Sequence, residues 1–146
     1  HYDRYHNAAR RIACDTGSEK DQQLTDGFDA EVSNSRILLE PGQILFHGRS
    51  NDLLLTEHPY PSYVSATLDP IVAVNSAYRR AGIGGVNGRP IVLVLETRVL
   101  LRALWGHVGQ SAEWELLLPR GIYWAETTRW SGNTFDVVHA AAVAAP

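Results

Sequence analysis

Apolar positions in this chain come in short clusters separated by polar stretches marked with glycine or proline, and the spacing inside each cluster predicts its element. Between Asp3 and Cys14, Ala8, Ala9, Ile12 and Ala13 recur at helical spacing among Arg10 and Arg11, and Gly17 closes the segment. A short helix is expected there. From Ser18 to Ser35 the chain is polar, with only Leu24, Phe28 and Val32 as apolar anchors, which predicts a loop or a partly helical lid. Ile37-Leu38-Leu39 and Ile44-Leu45-Phe46 flank the turn signal Pro41-Gly42 and predict two strands, with His47 and Gly48 at the end of the second.

The pattern changes at Asp69-Pro70. Proline fits the first helical turn and Asp can cap its free amides, so a helix is expected from Pro70 to about Arg80. The glycine-rich run 81–89 predicts a loop; with no strand before it and a strand after it, its glycine spacing does not fit a phosphate-binding turn. Pro90 to Glu96 is a continuous apolar strand, buried on both faces. Val99 to Trp105 reads as a short helix or connector. Glu113–Leu118 and Ile122–Thr127 are expected to pair as a hairpin around Pro119-Arg120-Gly121, and Thr134–Ala144 forms a last strand or a small-residue tail. Short strands with helices on one side predict an α+β fold.

Composition narrows the class. A chain of 146 residues that is 45% hydrophobic can build one core and is too short for two comfortable ones, so one domain over 1–146 is expected, with 1–35 as its N-terminal helix and polar loop region. The net charge of −3 carries no overall basic footprint for nucleic acid. A single cysteine, Cys14, excludes an internal disulfide and a cysteine-based zinc site; no metal is expected. No apolar run is long enough to span a bilayer, and the chain has no methionine even at position 1, which predicts a domain cut from a longer protein.

The candidate chemistry lies in Glu113-Trp114-Glu115. On a strand, Glu113 and Glu115 share a face and Trp114 takes the other, so two acids point at one spot. Such a pair can polarise a hydroxyl or steady a cation, or can be the wetted face of an edge strand.

Three segments in order then resemble the signatures of the ADP-ribosyltransferase toxin family: Ile44-Leu45-Phe46-His47-Gly48-Arg49, Tyr63-Val64-Ser65-Ala66-Thr67-Leu68-Asp69-Pro70, and Glu113-Trp114-Glu115-Leu116-Leu117-Leu118-Pro119-Arg120-Gly121. The first has the His-Gly form of diphtheria-type and poly-ADP-ribose polymerase enzymes, while Ser-x-Thr and Glu-x-Glu are features of the Arg-Ser-Glu branch, so the match mixes the His-Tyr-Glu and Arg-Ser-Glu patterns. The resemblance implies a split sandwich of two small antiparallel sheets with flanking helices, the cleft between them holding NAD as substrate. It implies that Glu115 stabilises the cation formed when nicotinamide leaves and that Glu113 aligns the acceptor. His47 would hold the adenosine ribose, or be a strand-end histidine bonded to a nearby carbonyl, with the Gly48 backbone near nicotinamide and Arg49 at the pyrophosphate or solvated in a loop. Tyr63 would stack on nicotinamide or be a core aromatic, and Ser65 and Thr67 would brace the Glu strand.

A bacterial secreted or injected effector acting in the target-cell cytoplasm is implied, with a cognate immunity protein and no membrane partner. The acceptor implied is a macromolecule, protein ahead of RNA. Trp105, Trp114, Tyr123 and Trp124 could stack on a base or fill the core, and Arg98, Arg102, Arg120 and Arg129 could form a local basic face. An NAD glycohydrolase of the same fold and a catalytically silent nucleotide-binding module are the alternatives.

Overall fold

The computed structural model describes residues 3–51, 53–106 and 115–146. The polar N-terminal region is largely helical. Helix α1, Asp3–Ala13, is followed by α2, Glu19–Ser33, where a loop or partly helical lid was expected. Its start is a capping box: the Ser18 hydroxyl accepts from the Asp21 N–H at 3.2 Å and the Asp21 carboxylate accepts the Ser18 N–H at 3.0 Å. Phe28 and Val32, one turn apart, supply its buried stripe, and Thr25 is buried because its hydroxyl donates to the helix's own Asp21 and Gln22 carbonyls.

Among the described residues eight strands follow: β1 Ile37–Leu39, β2 Ile44–Arg49, β3 Val64–Thr67, β4 Ile91–Thr97, β5 Leu101–Trp105, β6 Glu115–Leu118, β7 Tyr123–Ser131 and β8 Asp136–Val143. The short α3, Leu53–Thr56, lies between β2 and β3. Helix α4, Pro70–Ala81, starts where Asp69 caps it, Oδ1 accepting the Ile71 N–H at 2.9 Å. In space the strands run β1-β5-β6-β3-β2-β4-β8-β7. The fold is α+β, as expected. Every neighbouring pair is antiparallel except β4–β8, which a long crossover through β5, β6 and β7 allows to run parallel.

Two expected elements take a different form. The segment read as a helix or connector at 99–105 is strand β5, whose alternation of exposed Arg102 with buried Ala103 suits a two-faced ribbon between β1 and β6. The expected hairpin does not form either. Strand β6 pairs with β3 and β5, whereas β7 pairs with β8 at the far edge. The Pro119-Arg120-Gly121 turn is instead a crossing point. Arg120 forks the Asp29 carboxylate of α2 at 2.6 and 2.8 Å, and the Gly121 N–H donates to the Tyr60 carbonyl at 2.7 Å.

The junction of β2 and β3 is thin. A single register pair, Phe46↔Thr67, joins them, so the sheet is split into two four-stranded halves. Alternate residues of both halves, among them Leu45, Val64, Leu93, Leu116 and Leu118, meet in the main core. On the other face the helices cover the two halves separately. Ala9 of α1 and Phe28 and Val32 of α2 pack on Tyr63 and Leu117, while Ala73 and Ala77 of α4 pack by Phe46 and Val92. A strip between these two helical covers stays open.

Gly48 sets how closely α4 docks. A Cβ there would lie 2.0 Å from the Ala73 carbonyl oxygen and 2.5 Å from the Ala77 nitrogen, so the bare backbone is needed for helix contact. Overpacking commonly costs about 1–3 kcal/mol, and here the obstacle is backbone that cannot rotate away. Gly48→Ala is therefore expected to cost about 3 kcal/mol and lower Tm by about 6–12 °C, measured by circular dichroism. An unchanged Tm would show that α4 can slide.

Candidate active site

The open strip carries a cross-strand row. Directly opposed residues of neighbouring antiparallel strands share a face, so Phe46 of β2, Thr67 of β3 and Glu115 of β6 line up. Gly106, just past β5, closes the row and donates its N–H to the Glu115 carbonyl at 2.7 Å. Ser65 and Tyr63 continue the face along β3. Glu115 is partly buried, and among the described residues no side chain forms a hydrogen bond or ion pair with its carboxylate. It borders a cavity of about 390 Å³ with α1 on one wall and α4 on the other.

Where β2 and β3 part, a side chain makes the connection that backbone does not. His47 donates Nδ1–H to the Ser65 carbonyl; a carbonyl can only accept, so Nδ1 carries the proton. Burial, then the charges of Arg49 and Arg80, push the His47 pKa down to about 3. The imidazole is neutral at physiological pH, and Nε2 is left as an acceptor in a ring that lines the cavity. His6 of α1 joins the same network, Nδ1 lying 3.3 Å from the Ser62 hydroxyl and Nε2 lying 3.4 Å from the Ser65 hydroxyl. Its pKa is also lowered, chiefly by burial and then by Arg80.

Deeper in the wall, the Tyr60 hydroxyl accepts from Arg10 Nη2 at 2.7 Å and from Arg49 Nη1 at 3.0 Å, joining α1 to β2. Arg10 also meets Glu57 at 3.6 Å. Arg79 and Arg80, in the last turn of α4, complete a lining that holds four arginines and two acidic residues, Asp3 and Glu115. A chain of net charge −3 thus presents a locally positive cavity. Such a surface suits a polyanion, with charge-assisted hydrogen bonds available at each phosphate. Among the described residues no group of three or more His, Cys, Asp or Glu could hold a metal, and no helix is long and apolar enough to cross a membrane.

Of the residues singled out from sequence, Glu115, His47, Arg49, Ser65 and Thr67 come together around this cavity. Thr67 lies directly opposite Glu115, where bracing of the Glu strand was expected. Gly48 borders the cavity too, but its open side faces α4. Tyr63 borders the cavity and is also a core aromatic: its ring meets Phe28 edge-on at 4.7 Å and its hydroxyl donates to Asp29 at 2.7 Å. Glu113 and Trp114 lie outside the described residues.

The four arginines considered as a basic face are each engaged elsewhere: Arg98 with Glu96, Arg102 with the Ser35 carbonyl, Arg120 with Asp29 and Arg129 with Glu126. Trp124 is buried in the main core. Sequence reasoning missed His6, Asn7, Arg10, Tyr60 and Arg80. A signal for three of them exists, since Asp3, His6, Asn7 and Arg10 recur at i, i+3, i+4, i+7 and mark a polar stripe on α1 opposite its apolar one.

No protein-family model and no curated protein sequence matches the chain. Solved structures do match. The Vis ADP-ribosyltransferase toxin of Vibrio splendidus, in complex with an inhibitor, aligns with a TM-score of 0.69 at 16% identity, over 97% of this chain and 68% of that one. The toxin Plx2a of Paenibacillus larvae aligns at 0.65 with 10% identity, covering 94% and 79%. C3stau2 of S. aureus, solved with NAD, aligns at 0.61 with 14% identity, covering 88% and 74%. The chain therefore has the fold of the ADP-ribosyltransferase toxins.

The depressed histidines fix a pH dependence of stability. Unfolded, the His47 ring titrates near pH 6.5; folded, it stays neutral down to about 3. Below pH 6.5 the unfolded chain binds the extra proton, so stability is full above that value and falls as pH drops toward 3. Between pH 7 and 5, His47 alone is expected to remove about 2 kcal/mol, a Tm decrease of about 4–8 °C, with His6 adding in the same direction. His47→Gln should flatten the Tm profile over this window. A profile as steep as wild type would show that His47 is not the group responsible.

Proposed function

We propose that this chain is a single catalytic domain over 1–146, a toxin-type mono-ADP-ribosyltransferase that cleaves NAD and transfers ADP-ribose to a macromolecular acceptor. The observation that carries the reading is the Glu115 carboxylate, without a side-chain partner among the described residues, set in the split of the sheet beside a neutral His47 and the guanidinium-rich wall. NAD has the matching parts. Its pyrophosphate is the polyanion for Arg10, Arg49, Arg79 and Arg80, and its adenosine ribose offers hydroxyl donors to His47 Nε2. C3stau2, which shares the fold, is solved with NAD, which supports the same ligand here.

In the reaction, the bond between nicotinamide and ribose breaks and its electron pair leaves with the nicotinamide nitrogen. The ribose carbon left behind is cationic, and the Glu115 carboxylate stabilises it through the neighbouring hydroxyl. The acceptor then forms the new bond to that carbon and gives up a proton, which Glu113 is proposed to take up. Gly48 contributes by fixing α4 against β2, and Ser65 by anchoring His47 and His6.

The acceptor proposed is protein ahead of RNA. Vis has been solved with agmatine, a small guanidinium compound, which supports an arginine side chain as the group modified. In this reading the domain belongs to a secreted or injected bacterial effector acting in the target-cell cytoplasm, and its producer keeps a cognate immunity protein that covers the cleft. Expression of the active domain in a bacterial cytosol should then stop growth unless that protein is present.

The central test is Glu115→Gln. Loss of one charge-assisted contact made mainly in the transition state costs about 2.7–4 kcal/mol, so nicotinamide release should fall roughly 100- to 1000-fold while NAD affinity by calorimetry changes little. Full turnover in this variant would end the enzymatic reading of Glu115 and leave a nucleotide-binding module. Labelled NAD supplied with agmatine or cell lysate separates transfer from hydrolysis. Nicotinamide release at full rate with no labelled acceptor would replace the transferase by an NAD glycohydrolase.

Tyr60→Phe tests the cavity wall. It removes the hydroxyl that holds Arg10 and Arg49, so the KM for NAD should rise several-fold with kcat nearly unchanged. A variant with lower kcat and unaltered KM would assign Tyr60 to the chemical step.

A further inference from the structure

Gly106 stands opposite Glu115 at the end of the cross-strand row. Its N–H makes an ordinary ladder bond to the Glu115 carbonyl, and it is not among the glycines with positive φ, so its backbone conformation is open to other residues. Space is the constraint. A Cβ at Gly106 would lie 2.7 Å from Glu115 Oε2, 2.8 Å from its Cβ and 2.9 Å from its Cγ. All three nearest atoms belong to the Glu115 side chain, whereas at Gly48 two of the three obstacles are backbone atoms of α4.

We propose that Gly106 is a positioning residue for the Glu115 carboxylate, its missing side chain forming the slot in which that carboxylate lies. The inference rests on the catalytic reading of Glu115 given above. A methyl group in the slot cannot be accommodated by turning the carboxylate alone, because the Glu115 Cβ is fixed to the strand and also stands too close. The pair of strands must separate locally, and the carboxylate moves away from the position it holds over the cleft. A displacement near 1 Å at a reacting group is enough for about a hundredfold loss of rate. His47, Tyr60 and Arg10 lie on other segments and keep their places, so binding and turnover respond differently.

The test is Gly106→Ala, read by nicotinamide release, by NAD affinity in calorimetry and by Tm. The expected result is a roughly 10- to 100-fold fall in kcat with an NAD Kd within about twofold of wild type. Unaltered kcat overturns the proposal. So does a parallel loss of kcat and NAD affinity, which would mark Gly106 as generally structural. A double-mutant cycle with Glu115→Ala reads the contact without activity. Truncating Glu115 removes Oε2 and Cγ, so Gly106→Ala should lower Tm less in that background than in wild type. Equal Tm losses in both backgrounds overturn the slot. If Gly106→Ala fails to fold, recovery of a folded protein in Gly106→Ala/Glu115→Gly, which removes the Glu115 Cβ as well, supports the slot, and continued failure overturns it. The catalytic reading fails separately, when Glu115→Gln keeps full activity.

Discussion

Everything proposed for this protein depends on the sheet coming apart between β2 and β3. Backbone pairing there stops after Phe46↔Thr67, and the hydrogen bond from His47 to the Ser65 carbonyl takes over the task of holding the halves in register. A continuous ladder would have consumed the strip in which Thr67 and Glu115 lie. A complete break would have left the part-buried Ser65 carbonyl without this donor. The imidazole resolves the conflict because it reaches across a gap, satisfies the carbonyl with one nitrogen and leaves the other free to accept. Neutrality is part of the solution: a charged ring beside Arg49 and Arg80 would repel both.

The electrostatics follow from that choice. The two titratable rings closest to Ser65, those of His6 and His47, have lowered pKa values, so the positive potential of the cavity comes from guanidiniums that do not titrate. Arg10 and Arg49 share the Tyr60 hydroxyl, which keeps two like charges at one site by giving both the same acceptor. The wall is therefore prepared for an anion before one arrives. Pre-placed charge of this kind limits the reorganisation needed on binding.

How much of this was legible in the sequence depended on how local its cause was. Helix α4 is written in Asp69-Pro70, and the paired strands around His47 and Glu115 are written in their motifs, because capping and alternation are short-range effects. Helix α2 was obscured by its polar composition. Its cause is the reciprocal Ser18–Asp21 cap together with Phe28 and Val32 one turn apart, and Thr25 hides its polarity inside its own helix. Strand β5 is too short to separate helical from strand spacing, and only its neighbours β1 and β6 define it. The false hairpin arose the same way: Pro119-Arg120-Gly121 has turn chemistry, but the salt bridge from Arg120 to Asp29, distant in sequence, makes it a crossing. At the site, the strand residues could be read and the α1 stripe could not be placed. Periodicity shows that His6 and Arg10 share a helix face, yet only the packing of α1 beside Tyr63 points that face at the cleft. Tyr63 shows the complementary limit, since its motif position did not reveal that Phe28 of α2 would pack against its ring.

The two close-contact glycines show why sequence position and chemical role diverge. Gly48 falls inside a recognisable motif and looks like a ligand contact, but its lack of a side chain serves helix docking, and its neighbours are the main chain of α4. Gly106 falls in no motif, and its lack of a side chain serves the carboxylate of Glu115 alone. The difference is set by what stands opposite each Cα. A helix backbone cannot yield, so Gly48 acts on whether α4 docks against β2; the atoms opposite Gly106 all belong to the Glu115 side chain, so Gly106 acts on where that carboxylate points once the site has assembled. Assembly and aim are thus controlled from opposite sides of the site, with the open strip between the helical covers left to a ligand.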